Sequence, residues 1–245
     1  MNKRKESHIK YVNLHSHTTC GSIFDAIGYP QQHFDYCYGN GGEAMAITDH
    51  GNCNAVPYMV QHVKKMRAEG KEFKAIFGCE AYFLPSIDDW REEYEKAKLD
   101  KKRARNLAKG KASASTVEDE GSSKADQDIL RRRRHLVVLA QNQTGLNNLF
   151  KLVSESYKPE NYYRYPRMDF KLLEKYNEGL IVSSACLGGP LSGDFWENRE
   201  KGPEAVRAAM LNTVTRFKDI LGDRFYGEIQ WNNIPEQHQV NKHII

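Results

Sequence analysis

Residues 11–30 read YVNLHSHTTCGSIFDAIGYP. A short apolar run ends in His15-Ser16-His17, and polar residues and Gly21 follow at once. In an extended chain residues i and i+2 point to the same side. His15 and His17 are thus placed to offer two imidazoles to one ion, with Ser16 facing away. A neutral imidazole held at about 2.0–2.1 Å is a standard zinc contact. Taken alone, a His-x-His is short enough to be two polar residues at a strand end. The rest of the chain decides between these readings.

Further runs of the same kind recur: EAMAITDH, KAIFGCEAYFL, HLVVLAQN, GLIVSSACL and FYGEIQW. Each is a core-like stretch bounded by polar or glycine-containing turns. Helical patterns lie between most of them. YPQQHFDYCYGN follows the first run, and AVPYMVQHVKKMRAEG follows the second and ends in a glycine stop. TGLNNLFKLVSESY follows the fourth, with Thr144 as the expected N-cap. PEAVRAAMLNTVTRFKDILG follows the fifth, with Pro203 near its start. Strand–helix alternation predicts an α/β fold with mostly parallel strands, closed or open.

Bulk composition narrows the class. The 245 residues suit one large domain or two small ones, and 40% are hydrophobic. No apolar run is long enough for a membrane-spanning helix. The basic start MNKRKESHIK leads into no apolar segment, so no signal peptide is read. The five cysteines are odd in number, widely spaced and free of C-x-x-C, which fits a reducing cytoplasm. Cys20, Cys37, Cys53 and Cys79 are expected to pack as small apolar residues.

Net charge is +4, unevenly spread. Residues 91–134 carry 14 Lys and Arg against 9 Asp and Glu, and the remainder 22 against 23. The basic excess therefore belongs to one segment, and composition gives the body no nucleic-acid surface. That segment, an insert at 88–134, opens as a charged helix-like run and continues as ASASTVEDEGSSKADQD. Residues 110–130 have too few apolar side chains to offset their ordering entropy, so they are expected to be mobile and dispensable. The insert closes on Arg131–Arg134, a solvated face or a DNA-backbone contact.

The ionisable residues fall at the ends of the runs. His15 and His17 end the first, Asp49 and His50 the second, and Cys186 the fifth, while Glu80 lies in the third. In α/β barrels the functional residues gather at the C-terminal ends of the strands, where loops form one rim. His, Cys and carboxylates on one rim are the donor set of a metal centre. His135 starts its strand where the others end theirs. Taken alone it is a plain core or exposed histidine; it joins the rim if its strand runs antiparallel to that of Glu80, a pairing that needs no crossover helix. Glu228 either faces the site or simply ends a strand. His8, His33, His62, His238 and His243 show no partner pattern.

NLHSHTTCGSIFDA, AMAITDHGN, FGCEAYF, HLVVLAQNQTGLNNLFKLVS, EGLIVSSACLGG and EIQWNNIPEQ together resemble the polymerase-and-histidinol-phosphatase (PHP) domain. The version at the N-terminus of bacterial DNA polymerase III alpha subunits matches best. The likeness runs collinearly from about residue 11 to 245. It implies a distorted seven-stranded β/α barrel with up to three metal ions, zinc, manganese or magnesium. His15 and His17 match ligands of the first metal, and Glu80 the carboxylate bridging the first and second. His135 and Cys186 match ligands of the second, and Asp25 and His50 of the third. The segment between His17 and Asp25 is one residue longer than the family's commonest form. Asp49, counted with His15, His17, His50 and Glu80 in the catalytic set, is expected to orient a ligand or a loop.

The resemblance implies metal-dependent phosphoester hydrolysis by a polymerase alpha-chain domain, removing 3′-terminal nucleotides as a 3′–5′ exonuclease. Implied partners are DNA at the 3′ end of a primer, the remainder of the polymerase chain and other replisome subunits, without a membrane. One alternative is a catalytically silent domain that stabilises the polymerase and binds a proofreading partner. Another is a free-standing phosphatase of a small ester, against which EIQWNNIPEQ and QNQTGLNNL argue. No G-x-x-x-x-G-K-[ST] and no G-x-S-x-G are present. The family's last strand ends in Asn-Asp-x-His, which has no counterpart here. A frame continuing beyond Ile245 into such a strand is therefore expected.

Overall fold

The computed structural model describes residues 11–111 and 132–245. Its centre is a seven-stranded sheet. The strands are β1 (Ala44–Ile47), β2 (Lys74–Phe83), β3 (Arg134–Ala140), β4 (Tyr162–Tyr163), β5 (Tyr165–Met168), β6 (Leu180–Ser183) and β7 (Phe225–Tyr226). β2 is the hub. It pairs in parallel with β1 and β5 and antiparallel with β3. β3 pairs antiparallel with β6, which pairs in parallel with β7. β1, β2, β5, β6 and β7 thus share one direction, against which β3 and β4 run. The expected mostly parallel α/β architecture is present.

Among the described residues eight α-helices flank the sheet: α1 (Pro30–Gly39), α2 (Val56–Ala68), α3 (Ile87–Lys111), α4 (Gln143–Ser156), α5 (Phe170–Tyr176), α6 (Pro190–Asn198), α7 (Pro203–Leu221) and α8 (Pro235–Ile244). Proline opens α1, α6, α7 and α8. There its missing N–H costs nothing and its φ is already helical. The stop at Gly70 is real: φ is +73°, and the Lys71 N–H donates to the Met66 carbonyl at 2.9 Å. The N-cap of α4 is Asn142 rather than Thr144, its side chain accepting from the Gly145 N–H. A cap must precede the helix with extended backbone, and Asn142 does.

Two apolar layers hold the elements together. Cys79, Ala81, Phe83, Leu136, Val138 and Val182 of the central strands pack under Leu149, Leu152, Leu173 and Phe217 of α4, α5 and α7. Phe34, Ile47, Met59, Val63 and Met66 join α1, β1 and α2. Each Val, Leu, Ile, Phe or Met among them stabilises the fold by about 1.5–3 kcal/mol on full burial. Of the other cysteines, Cys20 and Cys37 pack on the second layer and Cys53 on the first.

Two of the six expected strands are cut short. Residues 11–17 are extended but form only an isolated bridge, Asn13 to Met45. FYGEIQW is a strand only at Phe225–Tyr226. The hairpin of β4 and β5 supplies the remaining strands, and YYRYPRM carried no alternation that announced it. The two sides of the sheet meet through side chains, His15 Nδ1 lying 2.7 Å from Glu228 Oε1. Beside that contact a cleft of about 1210 Å³ opens, lined by Tyr11, Leu14, Ile76, Leu146, Tyr226 and Trp231 among others. The barrel is therefore distorted.

The charged start of the 88–134 insert is the helix α3, pinned at its origin by Asp169 Oδ2 accepting from the Ile87 N–H. Most of the stretch expected to be mobile, 112–130, lies outside the described residues. Gly145 gives a test of the packing. A Cβ there would run into the Gly179 carbonyl, itself held at φ +70°. Gly145→Ala is expected to cost about 1–3 kcal/mol of stability, read as a lowered urea midpoint with unchanged slope.

Candidate metal centre

Glu80 is the pivot. It sits mid-strand in β2 and is 1% exposed. Four imidazoles converge on its carboxylate. His15 Nε2, His17 Nε2 and His50 Nδ1 lie 3.3, 3.1 and 3.0 Å from Oε2. His135 Nδ1 lies 2.9 Å from Oε1. Cys186 Sγ lies 3.7 Å from both Oε1 and His135 Nδ1. Asp25 Oδ2 completes the group 3.1 Å from His50 Nε2. Every residue expected as a ligand, His15, His17, Asp25, His50, Glu80, His135 and Cys186, is therefore in one cluster.

Local backbone explains each placement. The Asn13 and Ser16 carbonyls accept from Ala46 N–H and Thr48 N–H at 2.8 and 2.7 Å, so residues 13–17 lie alongside β1. Ser16 turns to Thr48, its N–H donating to Oγ1 at 3.0 Å, and the histidines on either side turn inward. His50 bridges to Glu80, and the Gly51 N–H donates to the Glu80 carbonyl at 2.9 Å. Gly51 has φ +67°, and a Cβ there would press on Pro166 and Tyr82. His135 pairs with Tyr82 across the antiparallel β2–β3 ladder, which brings a strand start to the rim. Cys186 lies in the turn after β6, where Ala185 has φ +55°.

Asp49 is the exception. It is 1% exposed but turned away from the cluster. Its carboxylate accepts from Thr18 N–H, Thr18 Oγ1 and Ser22 Oγ at 2.6, 2.8 and 3.0 Å. Ser22 Oγ also accepts from the His50 N–H at 3.0 Å. Asp49 therefore fixes the loop between His17 and Asp25 rather than contributing a donor.

Glu228, left open by the sequence, faces the site. It receives His15 Nδ1 at 2.7 Å and Ser183 Oγ at 2.6 Å. An ionised carboxylate only accepts, so Nδ1 carries the hydrogen and Nε2 is directed to the cluster. Outer carboxylates of this kind set ligand orientation and basicity. Glu228→Gln is expected to weaken divalent-ion binding about 10–100-fold, measured by competition with a chromogenic chelator. An unchanged affinity would remove Glu228 from the site.

Electrostatics agree with a cation-seeking pocket. Burial opposes ionisation of Glu80, but the surrounding imidazoles outweigh it and hold the carboxyl far below the usual range. Burial also opposes charge on His15, yet Glu228 and Glu80 raise it to about 10. Burial, then the charge of Glu80, pushes the Cys186 thiol up to about 11.

The residues fit metal ions. His15, His17 and Glu80 form one group, and His50, Glu80 and His135 another, with donor atoms in each group within 4.8 Å of one another. Glu80 Oε2 and His50 Nδ1 are buried and without a hydrogen bond although 3.0 Å apart. Buried polar atoms left without a hydrogen bond are costly unless something else satisfies them. The other described histidines lie elsewhere, His62 on Asp35 at 2.8 Å and His33 on the Ile27 carbonyl at 2.9 Å.

No described helix is long and apolar enough to cross a membrane. Comparison with known proteins places this geometry in a family. The PHP domain model matches residues 13–232. DNA polymerase III subunit alpha of Aquifex aeolicus is 34% identical over 238 residues, covering 96% of this chain and 17% of its own length. The same subunit of Treponema pallidum is 30% identical over 234 residues, 95% of this chain and 16% of its own. That of Thermus aquaticus is 31% identical over 238 residues, 96% and 16%. The chain thus spans about a sixth of these relatives. A solved structure from Bifidobacterium adolescentis is 13% identical at a TM-score of 0.41, covering 98% of this chain and 84% of its own. The matched span runs from the residues beside β1 to those after β7 and so takes in every member of the Glu80 cluster. The chain belongs to the PHP domain family.

Proposed function

We propose that this chain is the PHP domain of a replicative polymerase alpha chain and a metal-dependent phosphoesterase, working in the cytoplasm as a 3′–5′ exonuclease on the 3′ end of DNA. The remainder of the polymerase chain is its first partner, and other replisome subunits are further ones. The observation that carries the reading is the convergence of four imidazoles on one buried carboxylate, with Cys186 and Asp25 alongside.

Up to three ions, zinc, manganese or magnesium, are assigned. His15, His17 and Glu80 would hold the first, Glu80, His135 and Cys186 the second, and His50 with Asp25 the third. When bound, such ions lower the pKa of a water and offset charge on phosphoryl oxygens. The chain's own residues do the rest. Glu80 would serve the first two positions, its Oε2 facing His15 and His17 and its Oε1 facing His135. Glu228 holds the His15 proton at Nδ1, leaving Nε2 for ligation. Asp49 keeps the His17–Asp25 loop in place through Thr18 and Ser22. No side-chain nucleophile is required, since the attacking group is water.

The test joins metal analysis of the purified protein to hydrolysis of a 3′-mismatched primer, with and without chelator. At least two ions per chain and chelator-sensitive release of 3′ nucleotides are expected. Metal bound without hydrolysis would leave a domain of structural use only. No bound metal, with all ligands intact, would overturn the assignment.

A further inference from the structure

We infer that Phe24 is a stacking platform for an unpaired nucleobase at the end of a single strand, an inference that rests on the phosphoesterase reading above. Phe24 is 97% exposed, with Ile27 at 89% and Ile23 at 70%. Single exposed apolar residues are ordinary, but three large ones gathered on one turn mark an interaction site. They do not sit on a loose loop. Asp25 N–H and Ala26 N–H both donate to the Ser22 carbonyl at 3.0 Å, and Thr19 N–H donates to the Gly28 carbonyl at 3.0 Å. Ser22 is anchored in turn on Asp49. The turn is a fixed pedestal, and its Asp25 reaches the centre at His50.

A second feature at the same histidine favours a nucleic-acid strand. The Tyr82 ring lies parallel to His50, centroids 5.9 Å apart. The Arg133 guanidinium lies over Tyr82 at 5.4 Å and over Tyr165 at 3.9 Å. An aromatic face and a stacked guanidinium beside one hydrolytic centre suit a base and a phosphate of the same strand. A small phosphate ester has no base to lay on Phe24. A duplex keeps its bases stacked inside, so the occupant is a single-stranded end.

The test is fluorescence anisotropy of a short 5′-labelled single-stranded DNA with the full chain. Phe24→Ala is expected to weaken binding about tenfold, and Phe24→Tyr to stay within about twofold of wild type. Phe24→Leu should resemble Phe24→Ala, because it keeps the apolar bulk without a π face. Wild-type metal content in each variant certifies the fold. Binding unchanged in Phe24→Ala, or kept by Phe24→Leu, overturns the platform and leaves the patch to a protein partner. Hydrolysis of bis(p-nitrophenyl) phosphate by the wild type separates the two ideas. Hydrolysis with Phe24-independent binding sinks the platform alone. Phe24-dependent binding without hydrolysis sinks the phosphoesterase reading alone.

Discussion

Glu80→Gln is expected to give a folded protein that loses its divalent ions and more than about a hundredfold in any phosphoester hydrolysis. Mutating a partner outside the ligand shell commonly costs about 10–100-fold, and Glu80 is at the centre of the shell. The glutamine keeps the volume but removes the only charge common to His15, His17, His50 and His135. It also points an N–H₂ donor at donors, where a carboxylate offered lone pairs. A pH signature accompanies the loss. Glu80 is held below its ordinary pKa of 4.5. Its contribution to folding is therefore present above that value and lost as pH falls below it. In the metal-free state the variant should show a flatter acid limb in its stability profile than the wild type. Full metal content in Glu80→Gln, measured by elemental analysis after gel filtration, would show that the ions lie elsewhere.

Much of this centre was legible because its parts are local in sequence. His-x-His at the end of an apolar run sends both imidazoles one way, and Thr-Asp-His-Gly and Gly-Cys-Glu-Ala follow at matching places. Once the family resemblance makes His135 a ligand, the antiparallel partner of β2 follows, since a ligand at a strand start must be brought round to the rim. What could not be read depends on contacts between distant residues. Glu228 meets His15 across 213 positions, and nothing in GEIQW marks which way its side chain turns. Asp49 reads as a residue that orients a ligand or a loop, but its partners lie outside its own motif. Only the folded loop reveals that Thr18 and Ser22 take its oxygens. The β4–β5 hairpin is short and set among tyrosines and arginines, so no period could develop in it. Phe24 had no signal at all, because exposure of one aromatic is a property of the surface around it.

Binding of a divalent ion to the metal-free protein should release close to one proton from His15 at pH 7–8.5, and apparent affinity should rise about tenfold per pH unit from that group alone. His15 is raised to about 10 by its two carboxylate neighbours, against the effect of burial, so at neutral pH it is charged. Nδ1–H stays on Glu228, and ligation at Nε2 must displace the other proton, which faces Glu80 Oε2 at 3.3 Å. Linkage fixes the companion effect on folding. A raised pKa stabilises fully below the ordinary value of 6.5, and that stabilisation is lost as pH climbs through about 10. The metal-free protein should therefore weaken on its alkaline side while the loaded protein does not. Calorimetric titration in two buffers of different ionisation heat counts the protons directly. Glu228→Gln supplies the internal control, since removing one of the two carboxylates lowers the His15 pKa and with it the count at pH 8.5. Equal heats in both buffers, with an affinity flat in pH, would mean that His15 reaches the ion already neutral and that its pairing with Glu228 and Glu80 holds no charge.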